Sequence, residues 1–286
     1  MISDITLGQF FPGYSPIHKL DPRTKILLSV LFIVSVFVAS NPASFAALVI
    51  FTLILIAISR ISLRVIMKGV KPIIFILLFT AIINLFMTGG EGEPLVSFWV
   101  IKIYTEGIVR AVFMALRVII LIIGTSLLLT YTTSPISLTD GLESLLSPLK
   151  KIKVPVHTFA MMMSIALRFI PTLVEETEKI MNAQKSRGAD FTSGSLVKRA
   201  KALVPLLIPL FVSAFKRAEE LATAMECRCY RGDYNRTKLV KLEMKGRDYA
   251  FLAMFLMFLG ALISASILPY NFGLSGNVFN VLFYKI

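Results

Sequence analysis

Read from the N-terminus, the chain is a series of long apolar runs set between short clusters of charge. The runs cover about 26–40 (ILLSVLFIVSVFVAS), 43–59 (ASFAALVIFTLILIAIS), 72–88 (PIIFILLFTAIINLFMT), 108–131 and 249–268 (YAFLAMFLMFLGALISASIL). An α-helix needs roughly 17–25 apolar residues to cross a bilayer. The five runs therefore predict five transmembrane helices. The first three sit near the lower limit, which predicts little tilt or a locally thin bilayer. Asn41-Pro42 supplies a tight turn between the first and second.

The charges between the runs set an orientation. Lys19, Arg23 and Lys25 precede the first run, and Arg60, Arg64, Lys68 and Lys71 separate the second from the third without an acid. Glu91, Glu93, Lys102 and Glu106 separate the third from the fourth. The positive-inside rule places the N-terminus and residues 60–71 in the cytoplasm and residues 89–106 outside. Five crossings leave the C-terminus outside, where Lys285 is the one charge.

Residues 132–247 interrupt this alternation and carry most of the basic residues. Proline and glycine signals divide them into three helices. The first covers about 136–150, opened by Ser134-Pro135, with Asp140 and Glu143 early and Lys150-Lys151 at its end, an order that suits the helix dipole. The second covers about 156–187 and ends at Gly188; the third covers about 196–230 and ends before Gly232. Pro205 and Pro209 fall on one face of the third and are expected to bend it. Two stretches, 156–174 and 202–215, are apolar enough to resemble spans. A transmembrane hairpin built from them would put Lys179, Lys185, Arg187, Lys198, Arg199 and Lys201 outside, against the positive-inside rule. Two long helices at or under the membrane surface satisfy the pattern better. Met161, Met162 and Met163 lie in the apolar part of the second helix. Flexible, polarizable methionines suit a surface that repacks against different partners, and they suit packing against the spans equally well.

Composition narrows the class. The chain has 286 residues, 56% hydrophobic and 16% charged, with net charge +13. A soluble domain carries roughly 25% charged residues. A soluble enzyme, a disordered chain and a disulfide scaffold all fit poorly. The expected fold class is all-α: a polytopic membrane protein with about five transmembrane helices and a cytosolic three-helix insert carrying two long helices. The expected domains are 1–131 (N-terminal cytosolic segment and first four spans), 132–247 (cytosolic insert) and 248–286 (last span and tail). The basic excess divides between orientation and the insert, so no nucleic-acid partner is expected. The N-terminus shows no pattern of a cleaved signal peptide.

The chemistry that is missing matters as much. Cys227 and Cys229, with His18 and His157, cannot fill a zinc site, and the cysteines read as reduced cytosolic thiols. There is no P-loop and no H-E-x-x-H, and Gly89-Gly90-Glu91-Gly92 reads as an external turn. Acids are scarce in the clear spans, so no proton or cation relay is visible. Asn84 reads as an interhelical hydrogen-bond partner. Arg110 and Arg117 are accounted for by an ion pair with Glu106 and by snorkelling. The chain shows neither an engine nor a substrate site of its own, so no resident cofactor and no enzymatic activity are expected. The alternative is a stand-alone secondary transporter or channel, which the scarcity of intramembrane acids and of paired broken helices argues against.

Two helix ends are alike. One reads Ala183-Gln184-Lys185-Ser186-Arg187-Gly188-Ala189 and the other Ala224-Met225-Glu226-Cys227-Arg228-Cys229-Tyr230. Each arginine follows an acid by nine residues, Glu178 and Glu219. Arginines near helix ends complement the dipole without any further role. A guanidinium fork also binds carboxylates bidentately and keeps its charge when buried. Two similar tips suit a partner with two similar pockets.

The opening Gly8-Gln9 and Pro16-Ile17-His18-Lys19-Leu20-Asp21-Pro22-Arg23-Thr24-Lys25, together with Ser186-Arg187-Gly188 and Ala224-Met225-Glu226-Cys227-Arg228-Cys229-Tyr230-Arg231-Gly232, resemble the transmembrane T component of energy-coupling factor (ECF) transporters. The resemblance covers essentially the whole chain. The second motif departs from it, with Cys-Arg-Cys where Ala-Arg-Gly is usual. The resemblance implies a scaffold in a cell-membrane importer, with two ABC-type ATPase subunits below the bilayer and a substrate-binding membrane S component within it. ATP would be bound by the ATPases. Arg187 and Arg228, flanked by Ser186, Gly188, Cys227 and Cys229, would meet acidic residues in the ATPase grooves. The face carrying Met161, Met162 and Met163 would support the S component. The ending resembles the shared-module type, in which one T component serves several vitamin-specific S components.

Overall fold

Asp21 and Pro22 start the first helix by complementary means. Pro22 occupies the first helical position, where a missing N–H costs nothing, and the Asp21 carboxylate accepts the Arg23 N–H at 2.9 Å. The structure, a computed structural model, describes residues 10–87, 96–98, 101–191, 195–232 and 242–267. Gly8, Gln9, the Gly89–Gly92 turn, Glu93, Arg236, Lys238, Lys241 and Lys285 lie outside them, as do the side chains of Lys102 and Glu106 and hence the expected Glu106–Arg110 pair. The helices are α1 Pro22–Val38, α2 Pro42–Ser59, α3 Leu63–Val70, α4 Ile74–Met87, α5 Thr105–Thr125, α6 Pro135–Leu145, α7 Val156–Ser186, α8 Leu196–Cys227 and α9 Gly246–Ile267. A two-stranded antiparallel ribbon, Val96–Phe98 with Ile101–Ile103, precedes α5. Among the described residues no other strand occurs, and the fold class is the all-α one that the apolar runs predict. It divides into two compact units, residues 9–134 with 242–286 and residues 135–241.

In the first unit α1 and α9 run parallel, start beside start and end beside end. At the starts, Asp248 accepts the N–H groups of Asp21 (2.7 Å) and Lys245 (2.9 Å). Lys25, also buried, donates to the carbonyls of His18 (3.2 Å) and Thr132 (2.7 Å), and Arg23 donates to the Leu242 carbonyl at 3.2 Å. At the far ends, the orphan carbonyls of α1 find donors from outside the helix. Ser266 Oγ donates to Val38, and Arg117 Nη2 donates to Ala39 at 2.8 Å. The Asn41 amide donates in turn to the carbonyls of Ala265 and Ser266 near the end of α9. Arg117 is thus a helix-capping donor, not only a snorkelling side chain. Asn84 donates to Thr80 of its own helix at 2.8 Å, so the expected bond to another helix is replaced by one four residues back.

Between these polar ends the core is aromatic and aliphatic. Phe32, Leu48, Phe51, Ile120, Leu128, Phe255 and Leu262 are buried together. The Phe51 ring stacks on Phe258 at 4.2 Å and meets Phe255 edge-on at 5.1 Å. Phe32 presses so close to α5 that a Cβ on Gly124 would lie 2.0 Å from its ring. After Thr125 the helix widens into a π segment, Ser126–Thr130, closed by the Tyr131 N–H to Ser126 carbonyl bond at 2.9 Å. The outward faces stay apolar, with Phe37, Ile50, Leu53, Phe75 and Met257 exposed. In water such a surface would demand a cover, and lipid supplies one.

Length and composition mark five helices able to cross a membrane: Pro42–Ser59, Leu63–Phe86, Gly107–Thr130, Val156–Ser186 and Gly246–Ser266. The number agrees with the sequence reading but the set does not. At 17 residues α1 is too short to be among them, while the 31-residue α7 is included.

In the second unit the expected helix over 136–150 stops at Leu145 and continues as a 3-10 turn, Ser147–Ile152, containing Pro148. Proline disfavours α geometry at the residue before it. Buried Glu143 meets His157 Nδ1 at 2.8 Å, tying α6 to the start of α7. The α8 helix runs without interruption through Pro205 and Pro209, as α7 does through Pro171.

The Gly124 contact yields a direct test. Gly124→Ala is expected to displace Phe32 and destabilise the chain by about 1–3 kcal/mol, read as a lowered thermal midpoint in detergent. Alanine is the better helix former, so an unchanged or raised midpoint would contradict the close approach.

Candidate functional site

The two helices that carry the arginine motifs end in the same backbone structure. At the end of α7, Arg187 is the C-cap, with φ −88° and ψ 7°. Gly188 follows at φ 86°, its N–H bonded to the Lys185 carbonyl at 2.9 Å, and the Ala189 N–H reaches Gln184 at 3.0 Å. At the end of α8, Arg228 is the C-cap, with φ −89° and ψ 15°. Cys229 follows at φ 57°, bonded to Glu226 at 2.8 Å, and the Tyr230 N–H reaches Met225 at 3.0 Å. Both are Schellman closures, which satisfy the last carbonyls of a helix with the next two amides. The shared motif gives the two arginines the same place on their helices, and both are exposed.

The closures differ in the residue taking the left-handed conformation. Gly188 adopts it freely. Cys229 has a Cβ, which costs roughly 1–2 kcal/mol there. The departure of Cys-Arg-Cys from Ala-Arg-Gly therefore falls on the one position where glycine matters. Cys227 and Cys229 are free thiols exposed to solvent. Ser186 Oγ donates back to the Asn182 carbonyl at 3.1 Å.

Where α7 packs on α8, Arg217 Nη2 donates to Glu176 Oε2 at 2.8 Å. Glu176 lies 11 residues before Arg187, and Arg217 lies 11 before Arg228. The ion pair thus joins corresponding points of the two helices, each about 16 Å along its axis from its own arginine. The acids that match in sequence, Glu178 and Glu219, are not the residues that pair. The available signal was an acid and a base at the same distance from the two tips.

Met162 and Met163 are exposed on the first third of α7, near exposed Phe159, and Met161 is half-buried. Twenty-odd helical residues separate them from Arg187, a span of more than 30 Å. The structure does not bring the methionines and the arginine tips into one site. Among the described residues no group of three or more His, Cys, Asp or Glu side chains could hold a metal ion.

A family model described as "CbiQ: Cobalt transport protein" matches residues 13–239. The chain belongs to this family. Among individual relatives of the CbiQ family, the energy-coupling factor transporter transmembrane protein EcfT of Clostridium kluyveri is 56% identical over 249 residues, 87% of this chain and 92% of its own length. Proteins of the same description are 52% identical over 262 residues in Thermosediminibacter oceani and 51% over 263 in Bacillus subtilis, each covered over 98% of its length. The matched region contains both arginine tips and the Glu176–Arg217 pair.

Two measurements probe this geometry. Cys229→Gly is expected to firm the second tip by about 1 kcal/mol, seen as slower hydrogen exchange at the Tyr230 amide. A double-mutant cycle on Glu176 and Arg217 is expected to give a coupling of about 0.5–1 kcal/mol, since the pair is only partly buried. Exchanging the two residues should restore the thermal midpoint that either single reversal lowers.

Proposed function

We propose that the chain is the transmembrane scaffold subunit of an ECF-type importer in the cell membrane. In this reading α7 and α8 transmit ATP-driven movement from two cytosolic ABC-type ATPase subunits to a substrate-binding membrane S component. The observation that carries it is the pair of matching closures, each presenting an exposed arginine at its C-cap. Two equivalent guanidinium tips fit two equivalent acidic grooves, and ATP is bound by the partners. The names of the relatives support the assignment to an energy-coupling factor transporter. Ser186, Gly188, Cys227 and Cys229 frame the contacts, and the exposed methionines with their apolar neighbours support the S component. Vitamins are the proposed cargo class, and a shared module serving several S components the proposed mode.

The placement of the two ends of the insert supports a cytosolic position for it. Thr132 and Leu242, which flank it, both bond the first turn of α1. The segment between them therefore leaves and re-enters at the same end of the first unit, so it crosses the bilayer an even number of times or not at all. Of its two long helices, α7 has the length and composition of a span and α8 does not. A lone crossing by α7 breaks the parity, which favours both helices lying at the membrane surface. The positive-inside rule then puts that surface, and the N-terminus, in the cytoplasm.

Arg187→Ala combined with Arg228→Ala is expected to abolish ATP-driven uptake in proteoliposomes containing ATPases and S component. Each truncated contact removes about 2–5 kcal/mol, so ATPase co-purification should fall at least tenfold while membrane insertion is unchanged. Normal uptake by the double variant, or transport by the purified chain alone, would refute this reading.

A further inference from the structure

The corner between α2 and α4 has an unassigned surface of its own. Arg60, Arg64, Lys68 and Lys71 are all exposed there. At 100° per residue, Arg64, Lys68 and Lys71 fall within about 60° of one another on α3 and its extension. Arg60 stands just before them in the left-handed C-cap of α2. No Asp or Glu occurs between Asp21 and Glu91, and none of the four cations is ion-paired among the described residues.

The rest of α3 is ordered around its axis. Ile66 and Val70 are buried, Ile66 beside Leu127 and Tyr131. A Cβ on Gly69 would lie 2.3 Å from the Tyr131 hydroxyl, so the helix is seated closely against that side chain. Next around the axis come Leu63 and Met67, 66% and 62% exposed, and then the basic face. Buried, exposed apolar and cationic stripes in that order are what a helix lying in a bilayer interface presents. The apolar stripe leads into exposed Ile74, Phe75 and Leu78 of α4. Beside Arg60 a cavity of about 370 Å³ opens between residues 11–18 and 59–65, lined in part by Tyr14, His18, Ser59 and Ser62.

The geometry points to this corner as a binding site for anionic phospholipid, with the headgroup phosphate in the cavity beside Arg60 and the chains along Leu63 and Met67. The occupant must be anionic on one side and apolar on the other. An acidic protein surface answers the four cations but leaves the apolar stripe, continuous with the lipid-facing side of a span, uncovered. A lipid answers both. The site goes beyond the coupling reading and does not depend on what the arginine tips bind.

The test uses the full chain in neutral detergent with equal phosphatidylglycerol and phosphatidylcholine, bound lipid being counted by native mass spectrometry. A cation near an anionic headgroup contributes about fivefold in affinity. The wild type is expected to prefer phosphatidylglycerol by at least about tenfold. Arg60→Gln alone should cut the preference about fivefold, and neutralising all four cations should bring it near parity. Arg60→Lys with Arg64→Lys, which keeps the charge and so the insertion signal, should retain it. Inorganic phosphate should not displace the lipid. Equal retention of both lipids by the wild type would overturn the proposal, as would an unchanged preference in the four-fold variant. Displacement by inorganic phosphate would mark a site for the free ion and overturn it too. So would neutralisation that spares lipid preference but releases co-purifying protein subunits, since the face would then be a protein dock.

Discussion

The membrane unit depends on how two buried charged side chains are satisfied at one end of it. Asp248 and Lys25 are both almost fully buried. An uncompensated charge in such a place costs several kcal/mol, so each fixes the backbone groups it bonds. Asp248 holds the start of α1 beside the start of α9, although more than two hundred residues separate them in sequence. Lys25 holds the carbonyl of Thr132, close to where the chain passes into the second unit. His18, whose carbonyl also accepts from Lys25, is held in place by its ring, with Nε2 bonded to the Phe11 carbonyl and Nδ1 to Ser15 Oγ. Burial pushes the imidazole below its ordinary pKa, partly opposed by the bond to Phe11, so the ring remains neutral near pH 7. The aromatic core fills the space these polar bonds define.

The membrane helices were legible in the sequence because lipid removes most alternatives. A long apolar run in a bilayer is helical, since nothing else satisfies its backbone. Asn41-Pro42 was legible as the turn between the first two spans, whereas the start of α1 at Pro22 lies four residues ahead of the apolar run that begins near 26. The arginine motifs were legible as a repeat, but not the closure they share, because the positive φ at Cys229 is hidden in a residue that rarely adopts it. Tertiary partners were less accessible. Arg117 reaches Ala39 from 78 positions away, and Asn84 turns to its own helix. Nothing in local spacing distinguishes those outcomes from an ion pair or an interhelical bond. The close approach of Gly124 to Phe32 belongs to the same class, since a glycine in an apolar run announces nothing until a ring lies against it.

The second unit shows how an approximate repeat acquires geometry. Few side chains match between the two halves, yet an ion pair joins positions equally distant from the two arginines. Matching the distances requires only that both segments be uninterrupted helix, since rise per residue then fixes length. The prolines in both helices lie before the ion pair and leave the outer segments regular.

The π segment at Ser126–Thr130 carries a consequence of a different kind. One residue more per turn than an α-helix advances all that follows by about 100° around the axis. That added phase is present where Tyr131 packs against the Phe11 ring and accepts the Phe11 N–H on its carbonyl. It is present again where the Thr132 carbonyl meets Lys25. The segment therefore works as a vernier. It sets where Tyr131 and Thr132 stand around the axis of their helix, and so whether they meet Phe11 and Lys25.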